Sequence, residues 1–173
     1  LQWDPVRQRV TKEVFPDLPS NCAYGSACVS GNTVFVAGGT ENLHLNSAMT
    51  NFWSLDLSKT ESAENEWQIL PAWPGPPRGF NMTVAQHNGK TDCVYVIGGR
   101  YVDNTGKTKF LQDVYEYDPA LQNTISNVSP WRRREKTPVC MMAGEAVPIG
   151  QSHIFILGGA DGCLYYKADS LKE

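Results

Sequence analysis

Carboxylates and guanidinium groups are the side chains of this sequence best suited to work on a polar ligand. A carboxylate can move protons, and a guanidinium clamps anions with a planar fork of donors. Five such residues have telling neighbours. Glu145 sits in Ala143-Gly144-Glu145-Ala146-Val147, among small and apolar residues, where a charge must be paired or solvated. Arg100 directly follows the pair Gly98-Gly99. Glu41 and Asp161 follow two further pairs, Gly38-Gly39 and Gly158-Gly159, in places read as equivalent to Arg100. Arg78 closes Pro76-Pro77, where bracing a connection competes with touching a ligand. These five are candidate channel or ligand contacts. No catalytic residue is assigned among them, and convergence at one mouth is what a site would require.

Other chemistries find little support. His44 and His153 stand apart and lack ligand spacing. The cysteines Cys22, Cys28, Cys93, Cys140 and Cys163 are odd in number and form no C-x-x-C pair, which argues against a zinc site or a disulfide scaffold. Most of them read as small core hydrophobes. Neither a metal nor an organic cofactor is expected. The net charge is −3, and the run Arg132-Arg133-Arg134 is offset by Glu135, so it reads as a solvated strand end and not a nucleic-acid surface. No apolar run reaches the roughly 20 residues of a membrane helix. Asn81-Met82-Thr83 spells a glycosylation sequon that chance explains. The chain opens on Leu1 with no signal-peptide pattern, as expected of a processed or excised chain.

The elements that would position those five residues are set by a repeat. Val34-Phe35-Val36-Ala37-Gly38-Gly39, Val94-Tyr95-Val96-Ile97-Gly98-Gly99 and Ile154-Phe155-Ile156-Leu157-Gly158-Gly159 recur every 60 residues. Each is a β-branched and aromatic run closed by two glycines, the mark of a buried strand. A turn and a strand rich in small residues precede each: Tyr24 to Val29, Asn81 to His87 and Cys140 to Val147. Small side chains suit the most crowded strand of a propeller, the one beside the central channel. After a polar loop comes a half-exposed strand ending in an Asp-led turn, Phe52 to Asp56 and Val114 to Pro119, and the chain opens on the same signature, Leu1 to Pro5. Fourth strands follow at Val10 to Phe15, Trp67 to Leu70 and around Trp131. Trp53, Trp67, Trp73 and Trp131 read as packing residues.

Four strands per unit, a glycine pair after the second, an aromatic in the third and a tryptophan in the fourth resemble the kelch repeat. The expected fold is therefore all-β, a kelch-type β-propeller with about three blades' worth of four-stranded antiparallel sheets. Its extra length falls in the loops 40–50 and 100–112. The expected division is residues 1–20 as strands three and four of one blade, 21–77 and 78–137 as complete blades, and 138–173 as strands one and two of a further blade. Such a chain does not close a ring, since propellers have about four to eight blades. Either a longer polypeptide completes it, or a second copy does, as a homodimer.

A closer resemblance is carried by Leu55-Asp56-Leu57-Ser58-Lys59, by the stretch from Trp67-Gln68-Ile69-Leu70-Pro71 to Pro77-Arg78, by Gly38-Gly39-Thr40-Glu41 with Asn51-Phe52-Trp53, and by Gly150-Gln151-Ser152-His153 running on to Gly162. These phrases are similar to bacterial N-acetylneuraminate epimerases, the cyclically permuted mutarotases. The resemblance implies a six-bladed propeller, periplasmic or secreted, that interconverts anomers of sialic acid without a cofactor. That reaction needs a group to take the anomeric hydroxyl proton, a group to protonate the ring oxygen and an Arg for the substrate carboxylate. The family's Ser-Gly-Glu phrase with a later Arg is absent here, and Ala143-Gly144-Glu145 has no Arg at similar spacing. The competing expectation is a kelch module that binds a protein through its loops without catalysis.

Overall fold

Alternating β-branched and aromatic residues between glycine-bearing turns give antiparallel hairpins. The computed structural model describes residues 2–11, 15–59, 65–122, 128–165 and 167. Its strands are β1 (Gln2–Asp4), β2 (Arg9–Thr11), β3 (Ser26–Ser30), β4 (Thr33–Ala37), β5 (Phe52–Asp56), β6 (Gln68–Ile69), β7 (Met82–His87), β8 (Asp92–Ile97), β9 (Arg100–Val102), β10 (Thr108–Phe110), β11 (Val114–Tyr117), β12 (Trp131–Arg134), β13 (Glu145–Ile149) and β14 (His153–Leu157). Helix is confined, among the described residues, to the 3-10 turns Leu45–Ser47 and Pro119–Leu121.

Two four-stranded sheets are complete. The first blade runs β3-β4-β5-β6, and the second runs β7-β8-β11-β12. β1–β2 and β13–β14 are two-stranded and precede and follow them in the chain, at the places expected for a leading and a trailing half-blade. β3 packs against β7, and β7 against β13, so the first strand of each unit lies toward a common channel. All pairings are antiparallel.

The core lies between blades. Phe35, Phe52, Leu70 and Trp73 interleave with Val94, Val96, Tyr115, Tyr117 and Trp131 across the first joint. Phe52, Tyr117 and Trp131 meet with ring centroids 4.8 to 5.0 Å apart, tilted or edge-on. Each such contact contributes about 0.5–1.5 kcal/mol beyond area burial. Met82, Val84, Ile97 and Ala146 form the second joint. The indole N–H groups of Trp67 and Trp131 donate to Pro16 O (3.0 Å) and Pro71 O (2.7 Å), each in the connection ahead of its own blade.

Three details differ from expectation. The stretch after Gly99, expected as a polar loop, folds into the hairpin β9–β10. Tyr101, Val102 and Phe110 are strand formers, and Asp103 bonds the Thr105 and Lys107 amides to make the turn. The strand expected from Cys140 begins at Glu145, because Ala143 adopts φ 54° and turns the chain first. The strand expected from Val10 to Phe15 is β2 up to Thr11, and residues 12–14 lie outside the described residues.

Candidate functional site

The first strands of three units converge on a groove of about 320 Å³, whose wall includes Ser26, Asn81, Thr83 and Glu145. Glu145 opens β13 and is exposed there. Its chain neighbours Ala143 and Gly144 are small because the strands crowd together: a Cβ on Gly144 would stand 3.0 Å from Leu157 O. Ser26 and Thr83 share a hydrogen bond between hydroxyls at 2.5 Å. Asn81 Nδ2 donates to Ser26 Oγ (2.7 Å) and Ala37 O (3.2 Å). The sequon asparagine is thus 4% exposed and turned into the channel wall. At the opposite end of the channel Gln86 Nε2 donates to His153 O at 2.7 Å, so both ends of β7 are tied to its neighbours.

The rim of this groove is strained and aromatic. Tyr24, Phe80 and Ala143 occupy equivalent places with φ 55°, 58° and 54°. L-residues avoid that region at a cost of roughly 1–3 kcal/mol, and such strain clusters at ligand clamps. Tyr24 and Phe80 stack with centroids 4.3 Å apart. The Arg100 guanidinium lies 4.9 Å from the Phe80 ring and 5.0 Å from the Tyr165 ring. Its buried Nε has no hydrogen-bond partner among the described residues. Arg100 therefore reaches the groove rim through Phe80, which lines both.

The remaining candidates lie elsewhere. Arg78 is fully buried. It grips Asp113 with both terminal nitrogens (2.8 and 3.0 Å) and donates to Gly98 O (2.9 Å), with Trp73 and Tyr115 rings beside it. It braces the second blade and presents nothing to a ligand. Glu41 is exposed in the loop after β4. Asp161 is exposed, and hydrogen bonds from the Cys163 thiol and then the Cys163 amide hold its carboxyl below the usual range. The backbone bridges Ala23↔Thr40, Gly79↔Arg100 and Met142↔Ala160 correct the register: Thr40 and Ala160 are the counterparts of Arg100, and Glu41 and Asp161 stand one residue further on. Asp161 lies instead with Met141, Met142, Gly158, Leu164 and Tyr165 on a hollow of about 650 Å³ at the outer face of the trailing half-blade. Ser26, Asn81 and Thr83 are not among the five candidates, although Asn81 and Thr83 stand in the sequon and all three fall in the segments whose small residues mark the channel.

Burial pushes the Cys28 and Cys93 thiols up to about 12, so both stay protonated and unreactive. Among the described residues no three His, Cys, Asp or Glu side chains gather to hold a metal, and no helix is long and apolar enough to cross a membrane.

A model of N-acetylneuraminate epimerase matches residues 15–168. The protein of that name from Pasteurella multocida is 32% identical over 149 residues, covering 85% of this chain and 33% of that protein. Its counterpart from Yersinia enterocolitica is 29% identical over 156 residues, covering 88% and 34%. The chain thus spans about a third of the length of the curated relatives it matches. The solved structure of YjhT matches with a TM-score of 0.64 at 22% identity, over 86% of this chain and 37% of that one. The fold is all-β, a kelch-type propeller with about three blades' worth of sheet.

Proposed function

The chain belongs to the N-acetylneuraminate epimerase family, and from that premise we propose that it forms part of a sugar-active propeller that interconverts sialic acid anomers. The observation that carries the proposal is the polar groove on the channel wall of a chain from this family. It offers one carboxylate, Glu145, two hydroxyls, Ser26 and Thr83, and a strained aromatic rim that bears Arg100.

Anomer exchange opens and recloses a hemiketal ring. One proton leaves the anomeric hydroxyl and one is delivered to the ring oxygen, and both return on closure. Glu145 is suited to hold such a proton, since it faces the groove and is not tied up in an ion pair among the described residues. The hydroxyls are suited to orient sugar hydroxyl groups, and the cation of Arg100 to attract the sugar's carboxylate.

The test is anomer exchange of N-acetylneuraminate followed by NMR with the purified protein near neutral pH. The expected result is exchange faster than in buffer and proportional to protein, which Glu145→Gln reduces about tenfold or more. Exchange no faster than in buffer, with a folded protein, overturns the proposal.

A further inference from the structure

The residue that follows each positive-φ position, Tyr24, Phe80 and Ala143, is Gly25 in the first unit, Asn81 in the second and Gly144 in the third. Crowding dictates the glycines. A Cβ on Gly25 would stand 3.1 Å from Gly38 O, and one on Gly144 3.0 Å from Leu157 O. The second unit places a polar side chain here against that pressure. A local rule broken in one unit of three marks a position with a further task.

Asn81 is buried and fixed in orientation. Its side chain fills space that two glycine pairs leave. A Cβ on Gly38 would collide with its amide, and one on Gly99 would stand 3.1 Å from Asn81 Cβ. The Ala37 carbonyl, 3.2 Å away, can only accept, so the atom facing it is Nδ2 and the amide cannot be reversed. Oδ1 is turned toward Gly38, and no hydrogen bond reaches it among the described residues. In this wall Asn81 therefore acts as a donor alone.

The hydrogens can be counted. Nδ2 carries two, and its closer contacts, Ser26 Oγ at 2.7 Å and Ala37 O at 3.2 Å, use both, with Thr83 Oγ1 further off at 3.3 Å. Ser26 and Thr83 add one hydroxyl hydrogen each. Their oxygens stand 2.5 Å apart, with room for one hydrogen between them. Neither hydroxyl has an acceptor other than its neighbour among the described residues. One hydroxyl hydrogen is thus left over, and both residues line the channel groove. If Thr83 donates to Ser26, the spare hydrogen belongs to Ser26. If Ser26 donates to Thr83, it belongs to Thr83.

We propose that Ser26 and Thr83 form a one-proton donor site in the channel wall, offering a single hydroxyl hydrogen to an acceptor oxygen of the ligand from whichever residue that oxygen approaches. Asn81 is the positioning residue. By donating to Ser26 Oγ it keeps the spare hydrogen from being spent inside the wall. The hydrogen count rests on geometry within the two complete blades. The choice of a sugar oxygen as the acceptor rests on the function proposed above.

Proton NMR of the ligand-free chain in the cold tests the count. One slowly exchanging hydroxyl hydrogen is expected for the pair, and none in Ser26→Ala or Thr83→Val, where the partner oxygen is gone. Two such hydrogens in the unaltered chain, or none, overturn the proposal. Titration with N-acetylneuraminate, followed through the amide shifts of residues 26, 81 and 83, tests the use. Each single substitution is expected to weaken binding about twofold, because the other hydroxyl takes over. The double variant is expected to lose about tenfold or more, beyond the roughly fourfold of independent losses. A double loss no greater than the product of the single ones overturns the shared donor. An unaltered chain that does not respond to N-acetylneuraminate overturns the sugar as ligand, and the exchange result still decides the hydrogen count.

Discussion

The two complete blades share a backbone and differ in what they bury. Where the second blade places Arg78, the first has Cys22, whose Sγ reaches Gly38 O at 3.4 Å as Arg78 reaches Gly98 O. Where the second has Asp113, whose carbonyl accepts Gly98 N, the first has Asn51, which accepts Gly38 N. Where the second has Glu116 opposite Tyr95, the first has Ser54 opposite Phe35. Three ionised groups in one blade thus stand where the other has neutral ones. The repeat specifies strand pairing and glycine placement, and it tolerates either charged or neutral groups at the same positions.

The largest test of that difference is the buried pair. Arg78→Met leaves the Asp113 carboxylate inside the molecule without its cation and should cost about 3–5 kcal/mol in urea unfolding. Cys22→Ala, at the equivalent place, should cost about 1 kcal/mol. Similar losses would mean that the two joints hold by packing and not by charge.

The glycines rank next. Gly38→Ala and Gly98→Ala both force an L-residue to positive φ, at about 1–2 kcal/mol. At Gly38 the nearest obstacle is the Asn81 side chain, which can turn away only by giving up its bonds to Ser26 and Ala37 O, with the Arg78 carbonyl next at 2.8 Å. At Gly98 it is the Met141 backbone carbonyl, which cannot. Thermal unfolding should therefore show Gly98→Ala to be the more damaging of the two.

The smallest effect is a pH dependence that Glu116 adds to the second blade. Burial opposes ionisation of Glu116, but bonds from Arg134 (2.7 Å to each oxygen) and Asn88 outweigh it and hold the carboxyl below its ordinary value. A depressed folded-state pKa stabilises above the unfolded pKa, about 4.3, and that stability is lost as pH falls through the folded value. Hydrogen exchange should show residues 82–134 loosening before 26–69 on acidification below about pH 4. Glu116→Gln should narrow the difference.

The blade count and the channel strands were legible because glycine pairs recur at constant phase and small residues mark crowding. The Arg78–Asp113 grip was not, because its partners lie 35 residues apart and neither position is paired by the repeat. The hairpin β9–β10 was hidden by polar residues at its turn. Glu41 and Asp161 were aligned with Arg100 by counting from the glycines, and only the backbone bridges show the one-residue offset. The channel hydroxyls of Ser26 and Thr83 were obscured because their partnership spans two blades.

The indole bonds of Trp67 and Trp131 have a mechanical meaning. Each fastens the last strand of a blade to the connection ahead of its first, across 51 and 60 residues. A pull on the two ends of the molecule meets these clasps before it reaches the sheet behind them. Each clasp that opens should release one whole blade, a step of roughly 170–215 Å of extended chain, so the molecule should lengthen under load in blade-sized jumps.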